Sequence, residues 1–150
     1  MKKLRIYVDT SIIGGCFDEE FEYESNLLVE MAVNGKAVLL ISDELVAEIQ
    51  YAPQEVQDKL FALPTKCFER LETKDEAVEL HNAYLKAKIL GRASESDALH
   101  VANATVAKAD MIVSWNFKHI VHYDKIRGFN SVNMREGYGM IAIYSPKEVV

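Results

Sequence analysis

Ser94–Ala109, SESDALHVANATVAKA, followed by Met111–Asn116, MIVSWN, is the stretch whose reading decides the fold. Ala98, Leu99, Val101, Ala102, Ala104, Val106 and Ala107 leave the first segment apolar almost all the way round. A helix of that kind is normally buried. The second segment opens on an apolar strand, Met111–Ser114, that ends at Trp115-Asn116. A buried helix feeding a buried strand is the unit from which α/β sheets are made. Asp97 stands near the start of the helix, and burial makes such a carboxylate costly unless a positive or hydrogen-bonding group answers it. It also has a plainer role, because Ser94-Glu-Ser-Asp97 matches a capping box, worth about 1 kcal/mol.

The same alternation runs outward in both directions. Leu4–Val8 (LRIYV) and Ala37–Ile41 (AVLLI) are continuous apolar runs; Cys67–Leu71 is a weaker strand and Met140–Tyr144 (MIAIY) the last one. Between them, Leu27, Leu28, Met31 and Ala32 have helical spacing up to Gly35, and Ser42-Asp43 are N-cap candidates for a helix over Glu44–Tyr51. Pro53 suits the first turn of another helix towards Pro64, and Thr73–Glu76 matches a capping box opening a helix that runs to Leu90. Phe117–Tyr123 suggests a short helix, and Gly128–Tyr138 a loop rich in Asn and Gly. Strands that are apolar throughout, instead of half polar, indicate a parallel sheet covered on both faces. With no repeat, linker or low-complexity segment, the expectation is one α/β domain over 1–150.

The chain has 49% hydrophobic and 27% charged residues, an ordinary globular mix. The apolar run after Met1-Lys2-Lys3 stops at Asp9, too short for a signal peptide or a membrane span. Cys16 and Cys67 have no metal-like spacing and read as reduced thiols, which makes the cytoplasm the expected compartment. A net charge of -6 argues against nucleic acid held on a broad basic face. It leaves room for an enzyme that reaches phosphates through a bound cation.

Ligands of open α/β sheets bind beyond the carboxyl ends of the strands, where strand order reverses. Asp9, followed by Thr10-Ser11, ends the first strand, and Asn116 ends the fourth. Glu48 lies one turn after Glu44 on the helix after the second strand, and Asp97 opens the helix feeding the fourth. Singly, each has an ordinary role as cap or solvated side chain; as a set they are expected to converge on one crevice. Converging carboxylates repel unless a cation joins them, and Mg2+ and Mn2+ prefer oxygen ligands. The matching chemistry is metal-assisted phosphodiester hydrolysis.

The order VDTS, SDELVAEI, ESDALHVANA and IVSWNFKHI resembles the PIN-domain ribonucleases, a family that includes the toxins of VapC-type toxin–antitoxin pairs. The likeness spans nearly the whole chain, through the terminal IYSPKEVV. It implies a three-layer sandwich around a five-stranded parallel sheet of order 3-2-1-4-5, and a Mg2+- or Mn2+-dependent RNA endonuclease. Carried over by position, the family's acids fall on Asp9, Glu48 and Asp97, with metal held by Asp9 and Asp97 and by Glu48 through water. The fourth acid falls on Asn116, Ser114 matches the nearby hydroxyl, and Thr10 or Ser11 the small polar residue beside the first acid. Asn116 departs from the pattern: an amide oxygen can ligate but carries no charge and cannot act as a base. His119 reads as a partly buried surface histidine, with contact to phosphate or a ligand water the alternative; His100 is expected to hydrogen-bond Asp97, and Lys118 and Arg127 are the preferred RNA contacts. A toxin role implies an antitoxin partner, and the family implies a homodimer; no membrane is involved.

Two competing readings remain. A binding module of the same fold, weakened or inactive through Asn116, binds no divalent ion at millimolar concentration. A phosphotransferase-like domain using Asp9 as nucleophile ranks last, because its usual second Asp is replaced by Ser11.

Overall fold

A computed structural model describes residues 2–150. The strands are β1 (Leu4–Val8), β2 (Ala37–Ser42), β3 (Phe68–Leu71), β4 (Met111–Val113) and β5 (Ile143–Tyr144). The helices are α1 (Thr10–Gly15), α2 (Glu22–Val33), α3 (Asp43–Ile49), α4 (Gln54–Phe61), α5 (Asp75–Lys86), α6 (Glu95–Val106), α7 (Tyr123–Arg135) and α8 (Pro146–Val149). The five strands form one sheet in the order β3-β2-β1-β4-β5, every pair parallel, as expected.

Alternation along each strand divides the core into two layers. Ile6, Val8, Leu39, Ile41 and Val113 turn to one face, where Ile12, Leu28, Leu45 and Val56 of α1–α4 cover them. Tyr7, Leu40 and Ile112 turn to the other, beneath Leu80, Tyr84, Val101, Ala102 and Phe129 of α5–α7. Both faces are therefore dry, which is why the strands read as unbroken apolar runs. Cys16 and Cys67 are buried and unpaired. Among the described residues no helix is long and apolar enough to cross a membrane.

The largest departure from expectation is α7, which runs through the Gly- and Asn-rich segment expected to be a loop. Its poor helix formers are spent on tertiary contacts that override propensity. Asn130 is buried and donates to Ile141 O (3.0 Å) while accepting from Ile141 N–H (2.7 Å). Asn133 accepts from the Tyr84 hydroxyl, and a Cβ on Gly128 would meet Ile89 Cδ1 at 2.7 Å. Phe117–Tyr123 forms turns, with helix only from Tyr123. β5 keeps two residues of the expected five-residue strand, because Asn130 takes the Ile141 backbone. Neither expected capping box forms: Lys74 and Ser94 occupy the cap positions of α5 and α6 without side-chain caps.

Candidate active site

β1 and β4 are neighbours at the point where strand order reverses, so the crevice at their carboxyl ends lies where such sheets bind ligands. Asp9 follows β1 and is 4% exposed. Its carboxylate accepts from Ser11 Oγ (2.5 Å) and from Ser114 Oγ (2.7 Å). Those hydroxyls in turn accept the backbone N–H of Trp115 and of Asn116, both at 2.9 Å. The end of β4 is thus stitched to the end of β1 through Asp9. Burial pushes the Asp9 carboxyl above the usual range, against the opposing pull of His100, Ser11 and Ser114.

Glu48 reaches the same crevice from α3. Its Oε1 accepts from Thr10 Oγ1 (2.6 Å) and pairs with His100 Nε2 (2.7 Å), and its Oε2 accepts from Ser96 Oγ (2.5 Å). Partial burial pushes Glu48 up, but the hydrogen bond and charge of His100, with Ser96 and Thr10, outweigh it and hold the carboxyl at about 2. His100 is 1% exposed; burial alone would push it down, but Glu48, Asp9 and Glu44 raise it above its ordinary value. Its Nδ1 lies 2.5 Å from the Tyr7 hydroxyl, which donates to Ser42 Oγ at 2.8 Å. Ser42 caps α3 by accepting Leu45 N–H at 3.2 Å. A polar chain therefore runs from the cap of α3 through the second core layer to Glu48.

Asp97 lines the crevice from the first turn of α6 and is only half-buried. The burial cost expected of Asp97 falls instead on Asp9. No hydrogen bond or ion pair holds the Asp97 carboxylate among the described residues, and the Ser94 hydroxyl that was to cap beside it lies 3.1 Å from His119 Nε2. His100, expected on Asp97, serves Glu48. Asn116 lines the crevice, and its Oδ1 accepts His119 N–H at 3.0 Å. That backbone donor fixes the amide orientation and leaves the Asn116 NH2 as the free donor.

The crevice measures about 490 Å3 and is lined by Asp9, Thr10, Ser11, Glu48, Asp97 and Asn116, with Asp18 and His100 beside them. Ser114 lies buried behind Asp9. His119, Lys118 and Arg127 are not part of the lining. His119 turns to Ser94, and the Arg127 guanidinium sits over the Tyr123 ring at 5.6 Å. Sequence reasoning missed Tyr7, Ser96 and Asp18. Tyr7 carried a signal: a phenol in a buried strand needs a partner for its hydroxyl.

The donors facing this space are almost all oxygens, and no Lys or Arg lines it. Among the described residues no three His, Cys, Asp or Glu side chains close on one point at ligating range. A hard divalent ion does not need them to, because Mg2+ is usually held by one or two carboxylates and completes its shell with water. Asp9, a buried acid raised by burial, and Asp97, an acid without a partner, fit such a sparse set.

The fold is the PIN-like α/β fold, with sheet order 3-2-1-4-5 and helices on both faces. Solved structures that share it include VapBC2 from Rickettsia felis bound to a DNA fragment from its promoter (18% identity, 95% of this chain and 98% of that one, TM-score 0.60). DNA-bound VapBC from Salmonella typhimurium covers the same shares at 14% identity and a TM-score of 0.58. FitAcB from Neisseria gonorrhoeae does so at 13% and 0.60. At these identities the likeness is one of fold. No family model matches the chain, and no curated protein matches its sequence.

Proposed function

We propose that the chain is a Mg2+- or Mn2+-dependent endoribonuclease of the VapC type, acting in the cytoplasm as the toxin of a toxin–antitoxin pair. The observation that carries this reading is the crevice itself: Asp9, Glu48 and Asp97, from three distant parts of the chain, line one space without Lys or Arg. Asp9 and Asp97 would hold the ion, with Glu48, ionised and engaged by three donors, reaching it through water. When bound, such an ion polarises a phosphodiester and supplies hydroxide from water.

The remaining work belongs to the chain. Ser11 and Ser114 fix the Asp9 carboxylate, and Thr10, Ser96 and His100 fix Glu48. The Asn116 NH2 offers a hydrogen bond to a phosphate oxygen, a role suited to a donor and not to a metal ligand. The VapBC neighbours support a protein partner, and a homodimer belongs to the same reading as an expectation from the family resemblance.

The test is cleavage of single-stranded RNA with Mn2+ or Mg2+ by the wild type, Asp9→Asn and Asp97→Asn. Cleavage is expected only from the wild type; full activity in both variants overturns the assignment. Asn116 favours one second reading, an interaction module, because its oxygen is spent on His119 and adds no charge. Calorimetric titration decides between them: a module binds no divalent ion at millimolar concentration.

A further inference from the structure

Charge is segregated around the crevice. Its lining carries Asp9, Asp18, Glu48 and Asp97 and neither Lys nor Arg. A groove of about 600 Å3 along the connector between α5 and α6 shows the reverse, with Lys86, Lys88 and Arg92 beside Leu85 and Leu90 and no acid. All three basic side chains are exposed, and none joins an ion pair among the described residues. Lys86 ends α5 and suits that helix's negative end, while Lys88 and Arg92 follow on the connector, so the three cations crowd one short stretch and repel each other.

The connector is firmly seated and leads to the crevice. Lys125 Nζ donates to Ile89 O at 2.9 Å, Ile89 packs onto the bare Cα of Gly128, and Leu90 is 4% exposed. At its far end Ser94 Oγ lies 3.1 Å from His119 Nε2. His119 N–H is bound by Asn116, which lines the crevice. A chain of contacts through the half-buried Ser94 and His119 therefore links the end of the connector, next to Arg92, to Asn116 at the crevice. Phe117, the next residue, is 49% exposed and meets Trp115 edge-on at 6.1 Å, which leaves ring surface open to solvent.

We infer that this connector is the track for single-stranded RNA leaving the crevice: Phe117 stacks a base, and Arg92, Lys88 and Lys86 take successive backbone phosphates. The inference rests on the ribonuclease reading and deepens it. Acids that would hold a cation repel the rest of the substrate, so phosphates outside the crevice need cations outside it. An exposed ring rewards a free base, which a duplex does not offer.

The test is fluorescence anisotropy of a labelled single-stranded RNA with the full chain in EDTA, from 50 to 300 mM salt. A rim variant carries Lys86→Glu, Lys88→Glu and Arg92→Glu; a control carries Lys36→Glu, Lys66→Glu and Lys147→Glu, three exposed cations elsewhere with the same change in net charge. Single-strand contacts contribute about -0.7 each to the slope of log K against log salt, so the rim variant should flatten it by about 2 and the control far less. Phe117→Ala should weaken binding about tenfold. Equal losses in rim and control variants, duplex bound as tightly as single strand, or no binding by the wild type at 50 mM salt each overturn the track. Cleavage with Mn2+ is scored separately. A wild type that cleaves while rim and control behave alike fails the track and leaves the nuclease; rim-dependent binding without cleavage fails the nuclease.

Discussion

Asp9 and Glu48 on one wall of the crevice are each gripped by donors from several elements, whereas Asp97 on the opposite wall is gripped by none. The first wall is part of the core: its hydroxyls tie β1 to β4, and its histidine leads back through Tyr7 to the cap of α3. The second is made of the Asp97 and Asn116 side chains, which leave the same first turn of α6 and turn after β4 but hold neither Asp9 nor Glu48. The difference separates two costs. Residues on the gripped wall are bound up with the stability of the fold, while those on the free wall can be altered at little structural expense.

The sharpest break in that comparison is a pair of isosteric changes. Asp9→Asn and Asp97→Asn should each reduce metal-dependent cleavage by about 10²-fold or more. Their stabilities should diverge. Asp9 is raised in the fold, so the folded state disfavours its ionised form and the cost grows as pH rises past 3.8. Asp9→Asn should therefore remove that pH-dependent cost, so that in urea unfolding the metal-free variant gains on the wild type as pH rises from 4 to 7. Asp97→Asn should stay within about 0.5 kcal/mol of wild type. Equal stabilities would erase the distinction between the walls.

His100→Gln attacks the gripped wall behind the acids. Loss of the pairing with Glu48 and disturbance of Tyr7 should cost about 1–3 kcal/mol. The loss should depend on pH. Glu48 is lowered to about 2 from 4.5, so its contribution is present above 4.5 and fades as pH falls towards 2. His100 is raised above 6.5, so its contribution is complete below 6.5 and fades as pH climbs through the raised value. The gap between wild type and His100→Gln should be widest between pH 4.5 and 6.5. A gap that is flat from pH 4 to 9 would show that packing, and not charge, accounts for it.

The smallest structural effect belongs to Asn116→Asp on the free wall. The new carboxylate can still accept His119 N–H, so stability in EDTA should stay within about 0.5 kcal/mol of wild type. The added charge should tighten Mn2+ binding about tenfold by calorimetry. Unchanged affinity would place position 116 outside the ion's reach.

Much of the architecture was legible because it rests on local signals. The apolar runs at Leu4–Val8 and Ala37–Ile41 announce strands covered on both faces, and the strand order follows from the PIN resemblance. α7 was not legible, since Gly128, Asn130 and Asn133 signal a loop until Ile89, Ile141 and Tyr84 are brought against them. At the site, motif order brought Asp9, Glu48, Asp97 and Asn116 to one crevice. Partnerships were harder to read. Ser94 and Asp97 match a capping box by spacing, yet the Ser94 hydroxyl is drawn to a histidine far along the chain. His100 is one turn from Asp97, yet its ring points to the acid of another helix. Spacing along a helix fixes which face a side chain leaves from, and the fold decides what it meets there.

Trp115 is the only tryptophan in the chain, and it lines the crevice beside Asn116. Its indole stacks on Phe21 at 4.2 Å and donates to Ser25 Oγ at 2.8 Å, in a gap so close that a Cβ on Gly15 would meet that oxygen at 2.5 Å. Its backbone N–H is bound to the serine that holds Asp9. The protein thus carries a native optical reporter, and ultraviolet emission from one indole reads the packing around Asp9 without a label.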